Sequence, residues 1–184
     1  MHPKRDPAMP PCAKLDIDGK DGCVLASPVH PGNPLMSPDL ELHIHHIGYA
    51  VKSIDAIAAT YAARYGYEFS TPVIHDPLQT ALVQFLRLPG DRAYLEFVAP
   101  DGHESKLTNA VRRGGGLNHL CYVAGPLEPA IAALEQSGMR LISEPKPGIA
   151  FAGRRICWLL GEDPLPIELV ERRDPNDLCL PGLA

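Results

Sequence analysis

Two histidine–glutamate pairs with matching internal spacing constrain this chain more than any other feature. His46 precedes Glu96 by 50 residues, and His119 precedes Glu168 by 49. The histidines open similar segments, HIGYAVKSIDAIAATY and HLCYVAGPLEPAIAAL. The glutamates lie in similar segments, YLEFVAP and PIELVER. The offset between copies is 73 residues at the histidines and 72 at the glutamates, and it aligns Tyr49 with Tyr122 and Ala59 with Ala132. That period exceeds those of solenoid repeats. A duplication that keeps the same two metal-capable side chains at both ends predicts two related halves that share one metal site.

Local patterning supports this. ELHIHHIGYAV reads as a strand. Ile54, Ile57, Ala58, Tyr61, Ala62 and Tyr65 then recur at helical spacing. Ser53 is placed to cap that helix and Gly66 to stop it. TALVQFLRL and AYLEFVAP read as strands around Pro89-Gly90-Asp91, with a further short strand expected near 69–74. ESKLTNAVRR reads as a linking helix ended by Gly114-Gly115-Gly116. LNHLCYVA, the stripe Leu127, Ala130, Ile131 and Leu134 before Gly138, RRICWLL and PIELVER repeat the scheme. The fold expected is α+β, with two βαββ modules (41–100 and 117–173) in pseudo-two-fold arrangement. They form an open, curved mixed sheet around a metal cavity. Residues 1–40 hold eight of the 20 prolines and read as a mostly irregular arm, in which Met36 offers an alternative start. Residues 174–184 form a tail.

Strand side chains alternate between faces. His46 shares a face with Gly48 and Ala50, opposite Ile47, Tyr49 and Val51; His119 shares one with Cys121 and Val123. Leu95 and Phe97 oppose Glu96, and Ile167 and Leu169 oppose Glu168. All four polar residues are therefore expected on the face away from the helices. Buried carboxylates need a counter-charge, and a divalent cation between two imidazoles supplies one. The same alternation sets His43 and His45 on the face opposite His46, with a solvent or edge role. His75 and His103 fall in loops. Arg112 and Arg113 read as a solvated helix end and the triple glycine as a hinge. Lys146 stays ambiguous. Phe151 and Trp158 line the cavity or fill core, and Cys121 is a cavity thiol or a core residue.

The totals exclude other classes. A net charge of −5 argues against a nucleic-acid surface, and no apolar run reaches the ~18 residues of a membrane span. The five cysteines (Cys12, Cys23, Cys121, Cys157, Cys179) are scattered with no CxxC pair, which fits reduced thiols in a cytoplasmic protein.

The motifs HHIGYAV, YLEFVAP, GGGLNHLCYV, EPKPG and PIELVE, at these spacings, resemble the vicinal-oxygen-chelate (glyoxalase and bleomycin-resistance) superfamily over about residues 41–173. GGGLNHL followed by SEPKPG looks most like its methylmalonyl-CoA epimerase branch. The resemblance implies paired βαββ modules holding one divalent ion (Co, Ni, Zn, Mn or Mg), with His46, Glu96, His119 and Glu168 as ligands. It also implies a homodimer.

Four protein ligands would leave about two positions of an octahedron for a bidentate substrate, such as a 1,2-dicarbonyl or a malonyl-type thioester. The ion would act as a Lewis acid while a proton leaves the adjacent carbon. Glu168 or Glu96 would be the base. Gln84 stands nearest to the place where some bacterial epimerases carry a second catalytic glutamate. Its amide can hydrogen-bond an enolate oxygen but cannot take a proton. The expected activity is a metal-dependent epimerase-type isomerase, with an acyl-CoA or another dicarbonyl-type chelating ligand as substrate. The hairpin GEDPLP has a length closer to glyoxalase-like members, so a glyoxalase I-type lyase or a tailoring enzyme of secondary metabolism is the alternative. A dioxygenase would prefer two histidines and one carboxylate, which Glu96 disfavours. A drug-binding resistance protein is the non-enzyme alternative.

Overall fold

Each half begins with a nine-residue strand that carries its histidine: β1 (Leu42–Ala50) and β6 (Gly116–Ala124). The computed structural model describes residues 40–174; the proline-rich arm with Met36 and the C-terminal tail lie outside the described residues. After β1 come α1 (Ile54–Tyr65), β2 (Glu68–Phe69), β3 (Ile74–Asp76), β4 (Ala81–Arg87) and β5 (Tyr94–Pro100). A short α2 (Thr108–Arg112) leads to β6, α3 (Leu127–Gln136), β7 (Arg140–Pro147), a 3-10 turn at Ile149–Phe151, β8 (Arg155–Leu160) and β9 (Ile167–Glu171). The strands form one open, mixed sheet in the order β2-β4-β5-β1-β6-β9-β8-β7, with β3 also on β4. The order reads as two equivalent halves back to back. β1 is parallel to β5, β6 is parallel to β9, and β1 meets β6 antiparallel at the centre.

The two-module α+β fold matches the sequence, but each half carries more strands than the βαββ pattern gave. β7 was not expected. RLISEPKP holds two prolines, which an edge strand tolerates and a central one does not. The short strand expected near 69–74 is split into β2 and β3 around Pro72.

Helix α1 ends as expected, with Gly66 at φ 78° returning its N–H to the Ala62 carbonyl. Ser53 holds the N-cap position in extended conformation but makes no side-chain capping bond. Ile54 and Ala58 bury against Leu86, Phe97 and Ala99; Leu127, Ala130, Ile131 and Leu134 of α3 bury against Cys157, Leu159 and Leu169. These helix-side layers leave the opposite face of the central strands for the site.

Registers fix that site. Gly48 pairs with Glu96 on one side and His119 on the other; Cys121 pairs with His46 on one side and Glu168 on the other. Two adjacent rows thus run across four strands: Glu96–Gly48–His119 and His46–Cys121–Glu168. In each row the middle residue is small and the outer two are the polar ones. A Cβ on Gly48 would come within 2.0–2.4 Å of three His119 ring atoms, far inside contact distance. Glycine is required there by proximity, not by backbone conformation. Gly115 has a similar need: at φ 71° it lies against the Ala50 carbonyl, so the triple glycine is a packed turn.

The ladder departs from simple alternation at two matched places. Register shifts fall between Ile44 and His46 on β1 and between Gly48 and Tyr49. The first leaves His45 as the extra residue on β1. The second leaves Asn118 as the extra residue on β6, because Gly48 pairs with His119 while Tyr49 pairs with Leu117. A bulge re-aims the residue it contains. His45 is accordingly buried at 1% exposure rather than turned to solvent, correcting the expectation from alternation; His43 is exposed as expected. Ile47, expected on the helix side with Tyr49 and Val51, is instead exposed.

Candidate metal centre

All four residues of the two pairs are buried, and their donor atoms converge. His46 Nε2 lies 2.9 Å from His119 Nε2. It lies 3.3 Å from Glu96 Oε2 and 3.2 Å from Glu168 Oε2. His119 Nε2 lies 3.1 Å from Glu96 Oε2 and 3.7 Å from Glu168 Oε2. Metal bonds of about 2.1 Å would set neighbouring donors ~3.0 Å apart in an octahedron and ~3.4 Å apart in a tetrahedron. The observed separations bracket those values. Two imidazole nitrogens and two carboxylate oxygens are also a donor set suited to a divalent cation.

The charges are mutually dependent. Burial disfavours a charge on His46, yet the adjoining Cys121 sulfur and the carboxylates of Glu96 and Glu168 outweigh it and hold its pKa well above the ordinary value. Burial likewise opposes the Glu96 carboxylate, but His46 and His119 hold its pKa far below the usual range. Burial, with His46 and Arg154 nearby, drives the His45 pKa well below the ordinary value, so its imidazole is neutral.

The cluster opens into a cavity of about 470 Å³, within the usual range for small-molecule sites. Glu96, His119 and Glu168 line it together with Asp76, Asn118, Phe151 and Trp158. Trp158 meets the His119 ring edge-on at 4.9 Å, and Phe151 lies parallel to the His46 ring at 6.1 Å. Both aromatic residues therefore line the cavity while packing against the two imidazole rings. Cys121 is fully buried outside the lining, a core thiol. Arg112 and Arg113 are exposed and off the cavity, and Lys146 does not line it. His75 is paired with Asp101 at the surface, and His103 is exposed.

Gln84 does not belong to the site. It sits on β4 between Leu82 and Leu86, which pack towards α1, and its amide donates to the Thr71 carbonyl at 3.1 Å. Ala81 and Val83 face the cavity instead. The expectation that Gln84 reaches an enolate is thereby corrected. The cavity carboxylate missed by the sequence reading is Asp76, 4% exposed at the end of β3, with one oxygen accepting the Gln79 N–H. Its only sequence signal was a carboxylate in the short strand ahead of β4.

Residues 45–158 match the family model of the Glyoxalase/Bleomycin resistance protein/Dioxygenase superfamily. The chain belongs to that superfamily. Its relatives place it in the epimerase-like branch. It is 27% identical over 122 residues to an ethylmalonyl-CoA/methylmalonyl-CoA epimerase of Cereibacter sphaeroides, covering 65% of this chain and 89% of that one. The crystal structure of methylmalonyl-CoA epimerase from Mycobacterium tuberculosis superposes with a TM-score of 0.64 at 26% identity, over 71% of this chain and 88% of that chain. A Streptomyces coelicolor methylmalonyl-CoA epimerase variant in complex with 2-nitronate-propionyl-CoA gives a TM-score of 0.62 at 25% identity, over 71% and 97%. No helix among the described residues is long and apolar enough to cross a membrane.

Proposed function

We propose that His46, Glu96, His119 and Glu168 hold one divalent cation and that the protein epimerises a carbon next to a chelated carbonyl, with a branched malonyl-type acyl-CoA as substrate. The convergence of His46, His119 and Glu168, with Glu96 Oε2 3.3 and 3.1 Å from the two imidazole nitrogens, carries this reading. The relatives that act on such thioesters support it. The cation would supply Lewis-acid polarisation of the carbonyl and offset the negative charge that grows as the proton leaves. Glu168 takes that proton: its Oε2 lies 3.7 Å from His119 Nε2 against 3.1 Å for Glu96, so it is the less closely held of the two carboxylates. Asp76 serves as the second proton carrier from the cavity wall, a role the Gln84 amide could not fill. Phe151 and Trp158 keep water from the reacting carbon. A homodimer completes the reading and is checked by light scattering.

The experiment is deuterium wash-in from solvent at the 2-position of methylmalonyl-CoA with metal-loaded protein. Exchange that disappears with Glu168→Ala supports the proposal. A metal-loaded protein that shows no exchange would remove this substrate. One observation favours a second reading, a glyoxalase I-type lyase. Among the described residues Lys106 is the single lysine or arginine lining the cavity, so they lay no basic track for a CoA phosphate along its wall. Turnover of a hemithioacetal, with no exchange into the acyl-CoA, would establish that alternative.

A further inference from the structure

Each histidine of the centre is held from behind by the residue that precedes it. His46 Nδ1 lies 2.9 Å from His45 Nδ1. His119 Nδ1 lies 3.0 Å from Asn118 Oδ1. His45 and Asn118 are the two bulged residues of the β1–β6 ladder, and the repeat offset of 73 maps one onto the other. Without the bulges, alternation would turn both side chains away from the site. We infer that His45 and Asn118 are a duplicated pair of positioning residues. Each accepts the Nδ1–H of the next histidine and so leaves that histidine's Nε2 lone pair facing the metal position. The inference rests on the metal reading above.

The direction of the bond follows from the surroundings. Asn118 offers an amide oxygen, an acceptor only, so His119 must donate from Nδ1. Between His45 and His46, either Nδ1 could carry the proton. The metal position decides. To face it with a lone pair, His46 Nε2 must be unprotonated, so the His46 proton sits on Nδ1 and His45 Nδ1 accepts it. The His45 proton then sits on Nε2, which is buried with no hydrogen-bond partner; that ring lies among Tyr94, Phe151 and Phe85 at centroid distances of 5.3, 5.4 and 6.3 Å, with Arg154 nearby. The opposite arrangement would put a proton on His46 Nε2, where a ligand needs a lone pair.

The two supports are unlike in chemistry. Asn118 lines the cavity; His45 is buried among aromatic rings with Arg154 nearby. Outer partners of ligand histidines fix the ring and its tautomer, and their loss typically costs about 10–100-fold in metal affinity.

The test measures Zn²⁺ and Co²⁺ dissociation constants by chelator competition for the full chain and three variants, with circular dichroism to confirm folding. His45→Phe keeps the aromatic packing and removes the acceptor; Asn118→Leu does the same for the second half. Each is expected to bind about 10–100-fold more weakly. His45→Asn, which copies the second half's support into the first, is expected to remain within a few-fold of the parent. In the Zn²⁺-loaded parent, ¹⁵N spectra should show His46 and His119 bound through Nε2 with protonated Nδ1. Variants of unchanged affinity, or coordination through Nδ1, would overturn the inference alone. Two ions per chain would overturn it as well, because the second would use His45, His46 and Cys121, whose donor atoms also cluster. A parent protein that binds no divalent ion would overturn the metal reading and this inference with it.

Discussion

Glu96, His119, His46 and Glu168 were legible because each is a charged or imidazole side chain at a repeated place among apolar neighbours. Their supports were not. A bulge is a backbone event without a signature in side-chain patterning, so alternation sent His45 outward and passed over Asn118. Gln84 failed for a related reason: similarity put it near a catalytic position, while the pleat of β4 turns it to the helix layer. Two residue-scale outcomes follow. Gly48→Ala drives a methyl group into the His119 ring, so that ring must move. Affinity for Zn²⁺ should fall by more than tenfold while the far-ultraviolet spectrum is retained, and unchanged affinity would show that the ring is not held at the site. Asp76→Asn removes the second proton carrier of the proposed reaction. It should keep deuterium exchange from one stereoisomer of methylmalonyl-CoA while abolishing epimerisation; full epimerisation would remove Asp76 from the mechanism.

Elements differ in how clearly their pattern shows through. β1, β5, β6 and β9 carry the repeat and were read directly. β7 and the split β2/β3 lie towards the sheet edges, where prolines and partial exposure erase the two-residue period. The ends of β8 and β9 are tied to α3 through one side chain. Arg155 Nε donates to Glu171 Oε1 at 3.0 Å, and the same guanidinium pairs with Glu128 at the start of α3. The hydrogen bonds from Arg155 hold the Glu171 and Glu128 carboxyls below their ordinary values. A carboxyl with a lowered folded pKa adds stability above its unfolded value, and that stability fades as pH falls through the folded one. Arg155→Gln should therefore flatten the decline of the thermal midpoint between about pH 5 and pH 3. Calorimetry across that window reads the slope, and a parallel decline would show that the clasp is silent. Glu128 is largely exposed and Glu171 partly buried, so the Glu128 share of the effect should be modest.

At the scale of the molecule, each half supplies one histidine and one carboxylate, so a bound cation ties the halves together. Saturating Zn²⁺ at about 100 times its dissociation constant should add roughly 2.7 kcal/mol to unfolding stability. The pH dependence has a definite sign. The raised His46 pKa means that a proton occupies the cluster over a wide range, and the cation must displace it. Affinity should rise with pH, by up to about tenfold per unit, until His46 is deprotonated. Affinity flat across that range would mean that His46 is not a ligand. The row geometry also bears on how such a chain can evolve. Gly48 and Cys121 occupy equivalent places in the two halves, yet a side chain at position 48 meets the His119 ring. Gene conversion that copied the second half over the first would write a cysteine at position 48 and close the space that the ring occupies. Once that contact formed, the two copies could no longer be homogenised without damage, and an ancestral duplication became two lineages inside one reading frame.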